Sequence, residues 1–147
     1  MRGCWNSVDE LGKLTTLIDQ DDRTKHKSVN VIATLGRHVQ SEGEKLGYIQ
    51  KLKSFGMQFI NDTCWCMLMD PPIIPSRTDA KIITNSGKYA HYGPGLTNRR
   101  VRFGSMHQCV EVAKSGTMNS GRSSNNVPRW LRSISTQSIV RLIKIVK

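Results

Sequence analysis

The charged residues of this chain are unevenly distributed, and that distribution limits how its second half can fold. Residues 1–70 contain nine Lys or Arg and nine Asp or Glu, whereas residues 71–147 contain thirteen Lys or Arg and only two acidic residues, Asp79 and Glu111. The whole formal net charge of +11 therefore belongs to the second half. These cations predict a basic surface on the second half, as is typical of proteins that bind polyanions and release their condensed counterions.

Length and composition predict one intracellular domain. A chain of 147 residues is close to the usual size of a single domain, and 37% hydrophobic residues are too many for a disordered protein. No apolar run approaches the roughly 20 residues of a membrane-spanning helix, and no apolar stretch follows the first residues as in a secretory signal. We therefore expect a single domain over 1–147 in the cytoplasm, the nucleus or a virion interior.

The neutral first part, residues 1–56, is predicted to be mainly helical. Ser7 and Glu10 form a capping-box pattern ahead of leucines at helical spacing, and Ser41 and Glu44 form a second one. Gly56 suits the position just after a helix end. Residues 29–39 remain open, because their apolar spacing favours a helix and their β-branched residues favour a strand.

The second part reads as a small, mostly antiparallel sheet over about 57–114, so the predicted fold class is α+β. Strands are expected at 57–60, 63–69, 81–84 and 100–114, with a Gly- and Tyr-rich loop over 88–100. Residues 115–127 have the composition of a flexible linker or loop. Residues 128–147 are assigned to a C-terminal helix packed on the sheet, although β-branching favours a strand for 138–147.

The basic segment around the predicted loop indicates a non-catalytic protein that binds nucleic acid, RNA rather than DNA, in a ribonucleoprotein or viral structural context. Arg side chains fork onto phosphates, and tyrosines stack on unpaired bases. Two tyrosines and seven cations make up the predicted site: Lys88, Tyr89, Tyr92, Arg99, Arg100, Arg102, Arg122, Arg129 and Arg132.

Two other functions compete with this interpretation. The same basic surface suits a peripheral, matrix-like protein that binds anionic membranes and self-associates. A small hydrolase around His91 or His107 is the third hypothesis. His107, Cys109 and Glu111 would share one face of a predicted strand, where neighbouring side chains cannot converge as a nucleophile and its base must. The sequence therefore favours a protein that is not an enzyme.

A metal site is conceivable but not expected. Cys64 and Cys66 would lie on one face of a strand, as would His107 and Cys109, and two such pairs side by side could hold zinc. The spacing differs from that of the usual zinc-binding turns, and the apolar neighbours of Cys64 and Cys66 are typical of buried thiols. We therefore predict no metal and no other cofactor.

Overall fold

A computed structural model describes residues 7–67, 74 and 76–118, together with the backbone of Lys144–Val146. In these ranges the chain forms five α-helices, five β-strands and one short 3-10 helix. The helices are α1 (Val8–Asp19), α2 (Arg37–Lys45), α3 (Tyr48–Ser54), α4 (Gly87–Thr97) and α5 (Met106–Ser115). The strands are β1 (Asn30–Leu35), β2 (Met57–Asn61), β3 (Lys81–Thr84), β4 (Arg100–Phe103) and β5 (Lys144–Val146), and the 3-10 helix is Trp65–Met67.

The predicted capping box at the start of α1 is confirmed. The Glu10 backbone N–H donates to Ser7 Oγ at 3.2 Å, and the Ser7 N–H donates to a Glu10 carboxylate oxygen at 3.1 Å. Two of the backbone N–H groups that every helix start exposes are thereby satisfied. The helix then buries Leu11, Leu14 and Ile18, which follow one another at the expected helical spacing.

The ambiguous residues 29–39 divide at Gly36. The β-branched residues before it form β1, and α2 begins immediately after it at Arg37. The second predicted capping box is wrong, because Ser41 lies inside α2 rather than before it. Gly56 is confirmed in its predicted place after α3, with φ of +94°, a conformation that glycine adopts without steric cost.

The sheet consists of two parallel pairs joined by one short antiparallel strand, in the order β2-β1-β5-β3-β4. Strand β1 pairs parallel with β2, and β3 pairs parallel with β4. Strand β5 runs antiparallel to both β1 and β3, so the four longer strands all point the same way. The prediction of a mostly antiparallel α+β sheet is therefore wrong, and the fold is α/β.

Two helices replace elements that the sequence predicted as loop and strand. The expected loop over 88–100 is largely α4, and the expected strand over 100–114 ends at Phe103 and is followed by α5. A second capping box, between Ser105 and Gln108, starts α5. Parallel strands need a crossover connection, usually a helix, and α4 supplies it between β3 and β4.

Other predicted elements fall partly or wholly beyond the described residues. The expected strand at 63–69 is the 3-10 helix over Trp65–Met67, and residues 68–70 are outside the described ranges. Most of the predicted linker over 115–127 and of the C-terminal helix over 128–147 is also outside them. The described part of that segment, Lys144–Val146, is a strand rather than a helix, in keeping with the β-branched residues in it.

The sheet is covered on both faces, which is what parallel strands require. On one face, α1, α3 and α5 pack against the side chains of Val31, Ala33 and Leu35 from β1. On the other face, Tyr89 of α4 packs with Ile32 and Ile82, and Cys66 of the 3-10 helix borders the same cluster. No helix within the described residues is long and apolar enough to cross a membrane.

Candidate active site

The carboxyl ends of the four parallel strands meet at one edge of the sheet, and the loops there form the candidate site. The chain leaves β1 outward toward β2, and it leaves β3 outward toward β4, in the opposite direction. In open α/β sheets, ligands bind outside the carboxyl ends of the strands where the connections diverge in this way. The candidate site therefore lies at the ends of β1 and β3, beside the loop that follows β2.

The loop after β2 is fixed to the loop after β1 through Asp62. Its backbone N–H donates to the Leu35 carbonyl at 2.9 Å. Its carboxylate accepts from the Arg37 backbone N–H at 3.2 Å and forms an ion pair with the Arg37 guanidinium. Asp62 adopts a left-handed conformation with φ of +55°, which Asp tolerates better than most residues. The chain turns sharply there and enters the segment that carries Cys64.

The opposite wall of the site is the start of α4. The Ser86 hydroxyl is buried and accepts from the Tyr89 N–H at 3.3 Å, and the Ser86 N–H donates to Thr84 Oγ1 at 3.1 Å. The first turn of α4 carries no acidic residue, so the partial positive charge of the helix start is not neutralised within that turn. Lys88 is exposed in the same turn and adds a full positive charge.

A contact between Lys88 and Cys64 joins the start of α4 to the loop after β2. The Lys88 ammonium lies 4.0 Å from the Cys64 sulfur, although β2 and β3 are separated by two other strands. Among the described residues Lys88 forms no ion pair with a carboxylate. The mouth of the site is therefore electropositive and suited to an anionic group of a small molecule.

The six predicted nucleic-acid-binding residues that the structure describes do not share one surface. Lys88 and Tyr92 are exposed on α4, whereas Tyr89 is buried in the core with 2% exposure. Burial raises the pKa of Tyr89 to about 12, so its phenol stays neutral.

The predicted arginines lie elsewhere. Arg102 lines a cavity of about 380 Å³ together with residues of α5, and side-chain alternation along β4 places Arg100 on that same face of the sheet. The Arg99 guanidinium donates to the carbonyls of Thr97 and Asn98. Arg122, Arg129 and Arg132 lie outside the described residues.

The candidate metal ligands are also separated. Cys109 is fully buried in the core on the α5 face, whereas Cys66 borders the cluster on the α4 face. His107 is exposed on α5 and His91 on α4, so the two histidines of the hydrolase hypothesis lie on opposite faces of the sheet. Among the described residues, no group of three or more His, Cys, Asp or Glu side chains is placed to hold a metal ion.

Burial of Cys109 leads to a testable dependence of stability on pH. Desolvation raises the pKa of this thiol to about 12, whereas an unfolded thiol ionises near pH 8.5. Between these values the folded protein binds more protons, so the free energy of unfolding should fall as the pH rises, by about 1.4 kcal/mol per unit. Urea denaturation between pH 8.5 and 10 should show this slope in the wild type and lose it in Cys109→Ala. An identical slope in both proteins would contradict the raised pKa of the Cys109 thiol.

Comparison with known proteins identifies the family. Residues 3–115 match the family described as the aconitase X third domain. The cis-3-hydroxy-L-proline dehydratase of Hypocrea jecorina is 46% identical over 110 residues, which cover 75% of this chain and 18% of the relative. The enzyme of the same name from Pseudomonas aeruginosa is 41% identical over 127 residues, which cover 85% and 20%.

A more distant relative is the phosphomevalonate dehydratase large subunit of Methanocaldococcus jannaschii, 25% identical over 105 residues, which cover 71% of this chain and 24% of the relative. This chain therefore spans about a fifth of the length of the first two relatives.

These relatives overturn the functional predictions. They are dehydratases, so the predictions of a non-catalytic protein and of an RNA-binding or viral structural role are wrong. Nothing in the comparisons supports nucleic acid or a membrane as the partner. The basic composition that led to those predictions does not distinguish a polyanion from a small anionic substrate. With a family match over 113 consecutive residues and 46% identity to one dehydratase, the chain belongs to the aconitase X family and corresponds to its third domain.

Proposed function

We propose that this chain acts as one domain of a hydro-lyase that removes water from a 3-hydroxy amino acid such as cis-3-hydroxy-L-proline. The observation that carries the proposal is its 46% and 41% identity to two enzymes of that name. The relative named for phosphomevalonate is only 25% identical, which favours the amino-acid substrate. The intracellular location predicted from the sequence is part of this proposal, and fractionation of cells that express the full chain tests it.

Lys88 and the start of α4 are the groups in this domain that we assign to the substrate carboxylate. Loss of water from a 3-hydroxy amino acid requires the proton on the carbon next to the carboxylate to leave, and negative charge then spreads onto the carboxylate oxygens. A fixed ammonium and oriented backbone N–H groups stabilise such charge as it develops. Lys88 lies in the first turn of α4, above the carboxyl end of β3, where ligands bind in folds of this class.

A chimeric enzyme tests the proposal. Residues 3–115 of this chain replace the matching segment of the Hypocrea jecorina dehydratase, and conversion of cis-3-hydroxy-L-proline is followed. We expect the chimera to retain activity and Lys88→Met to lower its kcat/KM by about 30-fold or more, the effect of losing a charge-assisted hydrogen bond.

Lys81→Met is the matched control. Lys81 is exposed at the start of β3, at the opposite end of the same strand–helix unit, so its replacement should leave kcat/KM within about twofold of the chimera. A folded chimera without activity would contradict the proposed function. Equal losses in Lys88→Met and Lys81→Met would contradict the role of Lys88 alone.

A further inference from the structure

The three cysteines that the structure describes lie in different surroundings. Cys64, Cys66 and Cys109 are all thiols rather than disulfides. Cys109 is fully buried in the core, where desolvation raises its pKa to about 12. Cys64 and Cys66 are half-buried, although their apolar neighbours in the sequence are typical of buried thiols. Because a reactive thiol needs both access and a stabilised thiolate, the comparison among the described thiols is between Cys64 and Cys66.

Cys66 is placed against apolar side chains. It borders the cluster that Ile32, Ile82 and Tyr89 form beneath α4. Burial and the nearby Cys66 raise the pKa of the Tyr89 phenol to about 12, so this neighbour is neutral and adds no positive charge. Apolar surroundings disfavour the charged form of a thiol, and we therefore expect Cys66 to react slowly.

Cys64 instead contacts an ammonium group. Lys88 Nζ lies 4.0 Å from Cys64 Sγ, and no carboxylate among the described residues forms an ion pair with Lys88. Lys88 also belongs to the first turn of α4, where the backbone N–H groups carry a partial positive charge and no acidic residue is present. Thiols beside a lysine or a helix N-terminus are stabilised as thiolates, which are the nucleophilic form.

The loop that carries Cys64 is fixed by hydrogen bonds on both sides of this residue. Two residues earlier, the Asp62 carboxylate accepts from the Arg37 backbone N–H and pairs with the Arg37 guanidinium. After it, the Met67 N–H donates to the Cys64 carbonyl at 2.9 Å. The acidic residue nearest to Cys64 in the sequence is therefore already bound to Arg37, while the sulfur is held beside Lys88.

We propose that Cys64 is a reactive thiol, held as a thiolate by the Lys88 ammonium, and that it is the site in this domain that soft electrophiles alkylate and hydrogen peroxide oxidises. In the oxidation, the thiolate sulfur attacks one oxygen of the peroxide and the O–O bond breaks. The departing hydroxide takes the proton of the resulting sulfenic acid and leaves as water. The sulfur has then lost two electrons to the peroxide, and the sulfenate that forms is an anion beside Lys88.

This modification has a consequence for the candidate site. Lys88 is the group that we assign to the substrate carboxylate, and a sulfenate on Cys64 would occupy its charge. Oxidation should therefore close the site to an anionic substrate until another thiol reduces Cys64, since a sulfenic acid is a reversible state. Only this consequence depends on the proposed function; the reactivity of Cys64 does not.

Alkylation kinetics test the reactivity without any activity assay. The full chain is incubated with iodoacetamide at pH 7, and fragment-ion mass spectrometry follows each cysteine separately. We expect Cys64 to react about tenfold faster than Cys66, or more, and Cys109 to stay unmodified while the protein is folded. Lys88→Met should slow the reaction of Cys64 by about tenfold, because loss of the ammonium lowers the fraction of thiolate. The matched control Lys81→Met should leave this rate within about twofold of the wild type.

A brief exposure to hydrogen peroxide tests the oxidation. Dimedone, which labels sulfenic acids, should then label Cys64 in the wild type and label it less in Lys88→Met. Should Lys88→Met fail to fold, the comparison of Cys64 with Cys66 in the wild type decides. Equal alkylation rates at these two cysteines, equal rates at Cys64 in the two lysine variants, or no dimedone label on Cys64 would overturn the proposal and leave the chimera experiment unaffected.

Discussion

Replacing Tyr89 with alanine should lower the free energy of unfolding by about 3–5 kcal/mol, the usual cost of truncating a buried aromatic side chain. Tyr89 is 2% exposed and packs with Ile32 and Ile82 in the cluster beneath α4. The other buried residues of α4 are the small residues Gly93 and Thr97. Truncation of Tyr89 would therefore remove most of the apolar contact between this helix and the sheet. Urea denaturation followed by circular dichroism measures the change.

Tyr92→Ala is the matched control, since it removes the same side chain from the same helix. Tyr92 is 54% exposed, and its described ring contact is with His91, edge to face at 4.8 Å between ring centroids. Its loss should cost less than about 1 kcal/mol. Similar losses of unfolding free energy in the two variants would contradict the role of Tyr89 in packing α4 against the sheet.

Replacing Lys114 with methionine should lower the free energy of unfolding by about 3 kcal/mol. The Lys114 side chain is 1% exposed, and its ammonium donates to the carbonyls of Leu17 and Ile18 at 3.3 and 2.9 Å. It also contacts the Asp21 carboxylate at 2.9 Å. Methionine fills the volume but leaves the last carbonyls of α1 without this donor, while the Asp21 carboxylate keeps only its hydrogen bonds from Arg23.

Lys13→Met provides the comparison, because Lys13 is exposed on α1 and its replacement should change the free energy of unfolding by no more than about 0.5 kcal/mol.

Arg23 and Lys114 hold the pKa of Asp21 well below its usual range. The stabilisation from this carboxylate is therefore present at neutral pH and is lost on acidification below about pH 4. A loss below about 1 kcal/mol in Lys114→Met would contradict the capping role of Lys114.

Local sequence signals predicted the elements whose ends are defined by local hydrogen bonds. The Ser7–Glu10 capping box and Gly56 were sufficient to place the start of α1 and the end of α3. The β-branched residues of β3 were sufficient to identify that strand. In each case the structure depends on residues within a few positions of one another.

Helix α4 could not be predicted in this way, because Gly93, Pro94 and Gly95 are typical of a loop. The glycine at position 93 is explained by tertiary packing, because a Cβ atom there would lie 3.2 Å from both the Tyr89 ring and Val101. Glycine therefore allows the helix to approach β4 closely. One local signal was available, since Ser86 is a good N-cap three residues before Tyr89.

The charge asymmetry misled the functional prediction because the sheet separates the cations that the sequence places together. Lys88 belongs to the α4 face, whereas Arg102 faces α5. Lys114 is neutralised by Asp21, an acidic residue from the first half, and Arg77 pairs with Asp79. Net charge per segment says nothing about which face of a sheet each residue occupies, so it could not identify the electropositive mouth near Cys64.

The hydrogen bonds from Lys114 to the C-terminal end of α1 also have a consequence for the synthesis of the chain. The group that completes the C-terminal end of this first helix is Lys114, which is 93 residues after its carboxylate partner Asp21. During synthesis, α1 therefore emerges from the ribosome long before its cap exists. Its apolar side chains have to remain soluble, or be shielded by a chaperone, until α5 has been translated and the two helices can meet.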